Sequence, residues 1–252
     1  MIRLYVATAA ATMLAASANA IELKVISAGA VRSVVGHMID DYSKSTGVKF
    51  KFTVGPTGLL RSTIASGEPA DLIIASAPLM AELEASGKMT PGSRTDLGRI
   101  GLGVVIRDGA PVPDVSTPEK FKQLLIDAKS IAYTDPKLGG TSALHLMKLA
   151  ERFGIRDELV KKGIHATAGN DASAKVGRGE AEISVTLISE IGEAKGARLA
   201  APLPEALQLW TVYAAAIPLA STAPNEARAF VAALTGPMLR EHWIKAGWQP
   251  AK

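Results

Sequence analysis

Short apolar runs alternate with longer stretches of helical periodicity along most of the chain. Leu23 to Ile26 reads as a strand, after which Val31, Val34, Val35, Met38, Ile39 and Tyr42 recur on one helical face until Gly47 stops the pattern. Val48 to Val54 alternates as a strand, and a helix is expected from about Thr57 to Ser66. Asp71 to Ser76 is a continuous apolar run suited to a buried parallel strand, with a helix following through Leu79 to Ser86. Ile100 to Ile106 adds a strand, and Asp108-Gly109-Ala110-Pro111-Val112-Pro113 breaks the rhythm where the chain crosses to a second lobe. Beyond it, Pro118 opens a helix, Ser130 to Thr134 and Ala181 to Leu187 read as strands, and Gln208 to Ile217 forms a return strand. Helices near Pro224 to Leu234 and Met238 to Ala246 close the chain. This alternation predicts an α/β fold with mainly parallel sheets, joined by two strand crossings.

The ends and the composition narrow the class. Met1-Ile2-Arg3, the apolar stretch Leu4 to Ala16 and the Ala18-Asn19-Ala20 site read as a signal peptide over residues 1–20, cleaved on export. The chain has no cysteine, which excludes disulfides, zinc-thiolate sites and thiol nucleophiles, and fits a bacterial periplasm. Its net charge of +4 is scattered, with no basic block, so small anions are the expected partners and nucleic acid is not. The four histidines show no metal-ligand spacing, and neither a phosphate-binding P-loop nor a G-x-S-x-G elbow occurs; no metal or cofactor is expected.

Candidate chemistry gathers at the strand-to-helix turns. In open α/β sheets, ligands bind beyond the carboxyl ends of strands, where free helix N–H groups point. Ser27-Ala28-Gly29-Ala30 and Gly55-Pro56-Thr57-Gly58 are two such turns, followed by Arg32 and Arg61 just inside their helices. A cation is disfavoured at a helix N-terminus, so the repeated arrangement points to an anion completing the charge balance. Ser76 ends a third strand. The segment from Asp135 to Ser142 brings Gly140, Thr141 and Ser142, one of the two hydroxyl residues being the expected helix cap. His145, one turn further, is the candidate acid or base, ahead of Tyr133 and Asp135, and Gln208 is expected near the crossing.

Ser66-Gly67-Glu68-Pro69-Ala70-Asp71-Leu72-Ile73-Ile74-Ala75-Ser76, the Thr134-Asp135-Pro136 turn and Gly177-Arg178-Gly179-Glu180-Ala181-Glu182 together resemble the periplasmic molybdate-binding proteins of ABC importers. The resemblance implies a type II periplasmic-binding fold with a two-strand hinge. Residues 21–104 plus 214–252 would form lobe 1 and residues 105–213 lobe 2, in a monomer served by an ABC permease. It also implies a changed pocket. The family's first-turn serine falls on Ala30, its second on Thr57, its second-lobe backbone donor near Thr141, and its closing tyrosine on Leu187. With Arg32 and Arg61 replacing neutral donors, the expected ligand is an organic polycarboxylate rather than molybdate. Such a branch is similar to the aconitate isomerases. Two functions are therefore expected: binding of a polycarboxylate for import, or its isomerisation on the same scaffold.

Overall fold

The apolar runs become ten strands and the amphipathic stretches nine α-helices among the described residues, 21–192 and 194–251, of the computed structural model. The expected signal peptide lies outside them. In chain order these are β1 (Glu22–Ala28), α1 (Arg32–Thr46), β2 (Lys49–Gly55), α2 (Thr57–Ala65), β3 (Leu72–Ser76), α3 (Ala77–Ala85) and β4 (Thr95–Ile100). The chain continues through β5 (Leu102–Arg107), α4 (Pro118–Asp127), β6 (Ile131–Thr134), α5 (Thr141–Phe153), α6 (Arg156–Lys162) and β7 (Gly163–Ala166). It closes with α7 (Gly169–Arg178), β8 (Ile183–Leu187), β9 (Ala197–Pro202), β10 (Thr211–Ala216), α8 (Pro224–Leu234) and α9 (Arg240–Lys245). Among the described residues, no helix is long and apolar enough to cross a membrane.

The strands form two sheets of five, in the orders β2-β1-β3-β10-β4 and β7-β6-β8-β5-β9. In each, four strands run one way and one, β10 or β5, runs against its neighbours. Each reversed strand is one that has just crossed from the other lobe, so antiparallel pairing is where the sheets receive the crossings. Leu23, Ile26, Leu60, Ile74 and Phe230 are fully or almost fully buried around the first sheet, as are Phe121, Ile131, Leu146 and Val185 around the second.

The strand expected from Ile100 to Ile106 divides at Gly101. Ile100 ends β4 in the first sheet, while Leu102 begins β5 in the second, so a single residue carries the crossing. The return runs from Leu203 to Trp210. Both passages are tied by Gln208: its Oε1 accepts from the Leu102 N–H at 2.7 Å, and its Nε2 donates to the Leu102 carbonyl at 3.0 Å.

Asp71, within the P-A-D segment, is only 2% exposed and organises the first sheet. Its carboxylate accepts from the Lys24 N–H at 3.0 Å, and from the Thr222 and Ala223 N–H groups at 2.8 and 3.2 Å. Burial raises its pKa, but those bonds and the Ser221 and Thr222 hydroxyls outweigh it, leaving the carboxyl below its ordinary value. That segment of the sequence therefore fastens β1, β3 and the start of α8 together.

Candidate functional site

Three helices deliver uncapped N-termini to the space between the lobes. α1, α2 and α5 have neither a side-chain cap nor an acidic residue in the first turn. α4, by contrast, is capped by Thr117, which accepts from the Lys120 N–H. The first N–H groups of a helix need partners: in α1 the Arg32 N–H donates to the Gly29 carbonyl through a preceding 3-10 turn, Gly29–Val31, whereas those of α2 and α5 are left for an anionic one. Thr141 or Ser142 was expected to cap α5, yet Gly140 occupies the cap position and the Thr141 hydroxyl is released toward the cleft.

The lobes enclose a small cavity in the cleft. Gly29 and Ala30 line it from the first turn, Thr57 from the second, and Gly140, Thr141 and Ser142 from the third. The lobes meet over it: Thr57 Oγ1 and Thr141 Oγ1 are 3.5 Å apart, across the interlobe gap. Gly58 stands at the same seam, where an added Cβ would lie 2.5 Å from the Leu138 carbonyl oxygen and 3.2 Å from Gly139 Cα. Leu187 is also at the wall.

Four expected site residues lie elsewhere. Arg61 is exposed and forms a two-pronged ion pair with Glu82 of α3, at 3.0 and 2.9 Å. The anion that balances it belongs to its own lobe. Arg61→Ala is accordingly expected to change ligand affinity less than about twofold, checked by titration calorimetry, and stability by at most about 1 kcal/mol, checked by urea melts. Ser76 is buried in the sheet, and its register partner on β10, Tyr213, lines the cavity instead. Gln208 spends its amide on the hinge backbone. His145 lies four residues along α5, about 6 Å back from its N-terminus, and places Nε2 2.7 Å from the Leu207 carbonyl. That contact requires a proton on Nε2 and turns the ring to the hinge rather than the cavity. Arg32 is exposed at the edge of the cleft, beside a smaller recess that also includes Gly29 and Glu190.

Glu190 and Tyr213 are the chemistry that sequence reading missed. Glu190 follows β8 on a single 3-10 turn, Ile188–Glu190, and its Oε2 accepts from the Thr186 hydroxyl at 2.8 Å. Its Oε1 faces the opposite lobe, 3.1 Å from where a Cβ on Gly29 would sit. Gly169, at the start of α7, is needed because a side chain there would run into the Glu190 carboxylate and Thr186. Burial pushes the Glu190 pKa up to about 7, against the opposing bonds from the Thr186 hydroxyl and the Leu187 N–H. Tyr213 is 3% exposed and held edge-on by Trp248, with ring centroids 5.6 Å apart. Burial, and then the Glu190 charge, raise its phenol above the ordinary tyrosine value despite a hydrogen bond with Thr141, so it stays neutral. A carboxyl group titrating near neutrality, among neutral hydroxyls and helix N-termini, can exchange protons with a bound anion. Among the described residues, no cluster of three or more His, Asp or Glu could hold a metal ion.

Two α/β lobes closing over an anion-suited cavity define a solute-binding protein by fold and site. The sequence model for bacterial extracellular solute-binding proteins matches residues 23–249, and the chain belongs to that family. It is 31% identical to an aconitate isomerase from Pseudomonas sp. over 228 residues, 88% of this chain and 85% of the relative. The Azotobacter vinelandii periplasmic molybdate-binding protein has a similar structure, with a TM-score of 0.76 at 19% identity, covering 91% of this chain and all of that one. The sulfate-binding protein SubI of Mycobacterium tuberculosis H37Rv aligns with a TM-score of 0.71 at 17% identity, over 92% of this chain and 88% of its own.

Proposed function

We propose that this protein binds an organic polycarboxylate between its lobes and shifts a carbon–carbon double bond in it, the reaction of an aconitate isomerase, after export to the periplasm. The observation that carries this reading is Glu190. A carrier selecting anions is weakened by a carboxylate in its cleft, because like charges repel. An enzyme that must move a proton at neutral pH gains from a base whose pKa is near 7. The likeness to a relative named aconitate isomerase supports the same reading.

The proton inventory closes on one residue. Ionised Glu190 takes a proton from the methylene carbon of cis-aconitate, and the C–H electron pair enters the allylic system. The double bond moves one carbon along. Neutral Glu190 then returns the proton to the carbon that had been vinylic, giving trans-aconitate with no net change in atoms or charge. Thr57, Thr141 and the uncapped N-termini of α2 and α5 hold carboxylates, and they stabilise the charge that spreads onto a carboxylate in the carbanion-like transition state. Tyr213, neutral throughout, supplies a hydroxyl on the opposite lobe.

Proton NMR of the purified protein with cis- or trans-aconitate tests this directly. Catalytic interconversion is expected in both directions. The family and the interlobe contacts also support a second reading, a carrier delivering the polycarboxylate to an ABC permease. Saturable binding without any change in isomer ratio would overturn the enzyme in favour of that carrier.

A further inference from the structure

Beside the main cavity lies a small recess lined by Gly29, Arg32, Ser33, Asn170, Ser189 and Glu190. Glu190 borders both spaces. Five of its six lining residues carry polar or charged side chains. The hydroxyls of Ser33 and Ser189 are buried and have no hydrogen-bond partner, and Ser189 as a residue is only 4% exposed. A buried hydroxyl without a partner costs free energy, so two at one recess call for a group that accepts from both. The side chains of Ser33, Ser189 and Asn170 can all donate, and an oxyanion can accept from each of them.

We infer that this recess is a second carboxylate subsite, in which Ser33, Asn170 and Ser189 select ligands carrying one carboxylate more than the main cavity holds. The inference rests on the polycarboxylate reading of the main cavity. A ligand spanning both spaces would place the carbons between its carboxylates alongside Glu190, which with Gly29 lines both. The recess then sets both ligand choice and the alignment of the C–H bond with its base.

Saturated probes isolate binding from turnover. Titration calorimetry of the full chain would compare propane-1,2,3-tricarboxylate with methylsuccinate, which lacks one terminal carboxylate. Wild type is expected to favour the tricarboxylate. Ser189→Ala and Asn170→Ala are each expected to lose roughly 10- to 100-fold in tricarboxylate affinity, the scale of one hydrogen bond to a charged group, while methylsuccinate affinity changes less than about threefold. Equal losses for both probes, or an unchanged tricarboxylate affinity, would overturn the subsite alone. Failure of wild type to bind either probe would overturn the polycarboxylate reading and the subsite together.

Discussion

Glu190→Gln is expected to lower aconitate turnover by roughly 100- to 10,000-fold, the usual contribution of a positioned general base. The amide keeps the shape and the contact with the Thr186 hydroxyl but cannot take up a proton. Wild-type kcat/KM should rise with pH through about 7 and level above it, because the base works ionised. Steady-state NMR assays between pH 5 and 9 read both effects, and full turnover in the variant would remove Glu190 from the chemistry. Stability supplies an independent readout with a definite sign. The folded-state pKa lies above the ordinary glutamate value, so folded protein holds a proton that the unfolded chain has lost at intermediate pH. Stability associated with Glu190 is therefore full below the ordinary value and falls as pH rises to about 7. Glu190→Gln is relieved of that loss. Urea melts should find the variant more stable than wild type at pH 8, by on the order of 3 kcal/mol, and close to it at pH 4.

Gly58→Val is expected to keep the lobes apart. Its Cβ would meet the Leu138 carbonyl, and backbone across a seam yields only if the whole lobe retreats. Gly58 has no positive φ, and the atoms nearest its added Cβ are all in the other lobe. Each lobe should therefore still fold. Ligand affinity should fall roughly 100-fold, as the closed state becomes a minor one, and turnover should fall with it. Gly58→Ala, adding a single methyl, should show the same effects in weaker form. Small-angle scattering with saturating ligand would show the variant more extended than wild type. Compact closure with wild-type affinity would refute the seam.

Sequence periodicity located most elements, since burial of one helical face or a whole strand imposes a pattern on neighbouring residues. The P-A-D segment was legible as a motif, although its physical role, Asp71 gathering backbone donors around Thr222, joins residues far apart in the chain. β4 and β9 were missed because their residues, Thr95–Ile100 and Ala197–Pro202, mix charge and small side chains without alternation. The turn glycines and threonines of the site could be placed by the rule that ligands sit at strand ends. Arg61 could not, because its partner Glu82 stands on the next helix and no local spacing joins them. Glu190 left one signal: a lone acidic residue between Ile188 and Ile191, directly after an apolar strand. Tyr213 left none, being a polar residue on a strand that only the second crossing carries to the cleft.

Where α2 meets the loop before α5, the seam between the lobes is made of glycine backbone and two threonine hydroxyls. That contact adds little grip to closure, since area removed from water is the main source of cohesion. A scavenger profits from lobes that stay shut, whereas a catalyst is throttled by them, because product leaves no faster than the halves part. The same small side chains that let Thr57 and Thr141 approach to 3.5 Å leave little at that point to resist opening.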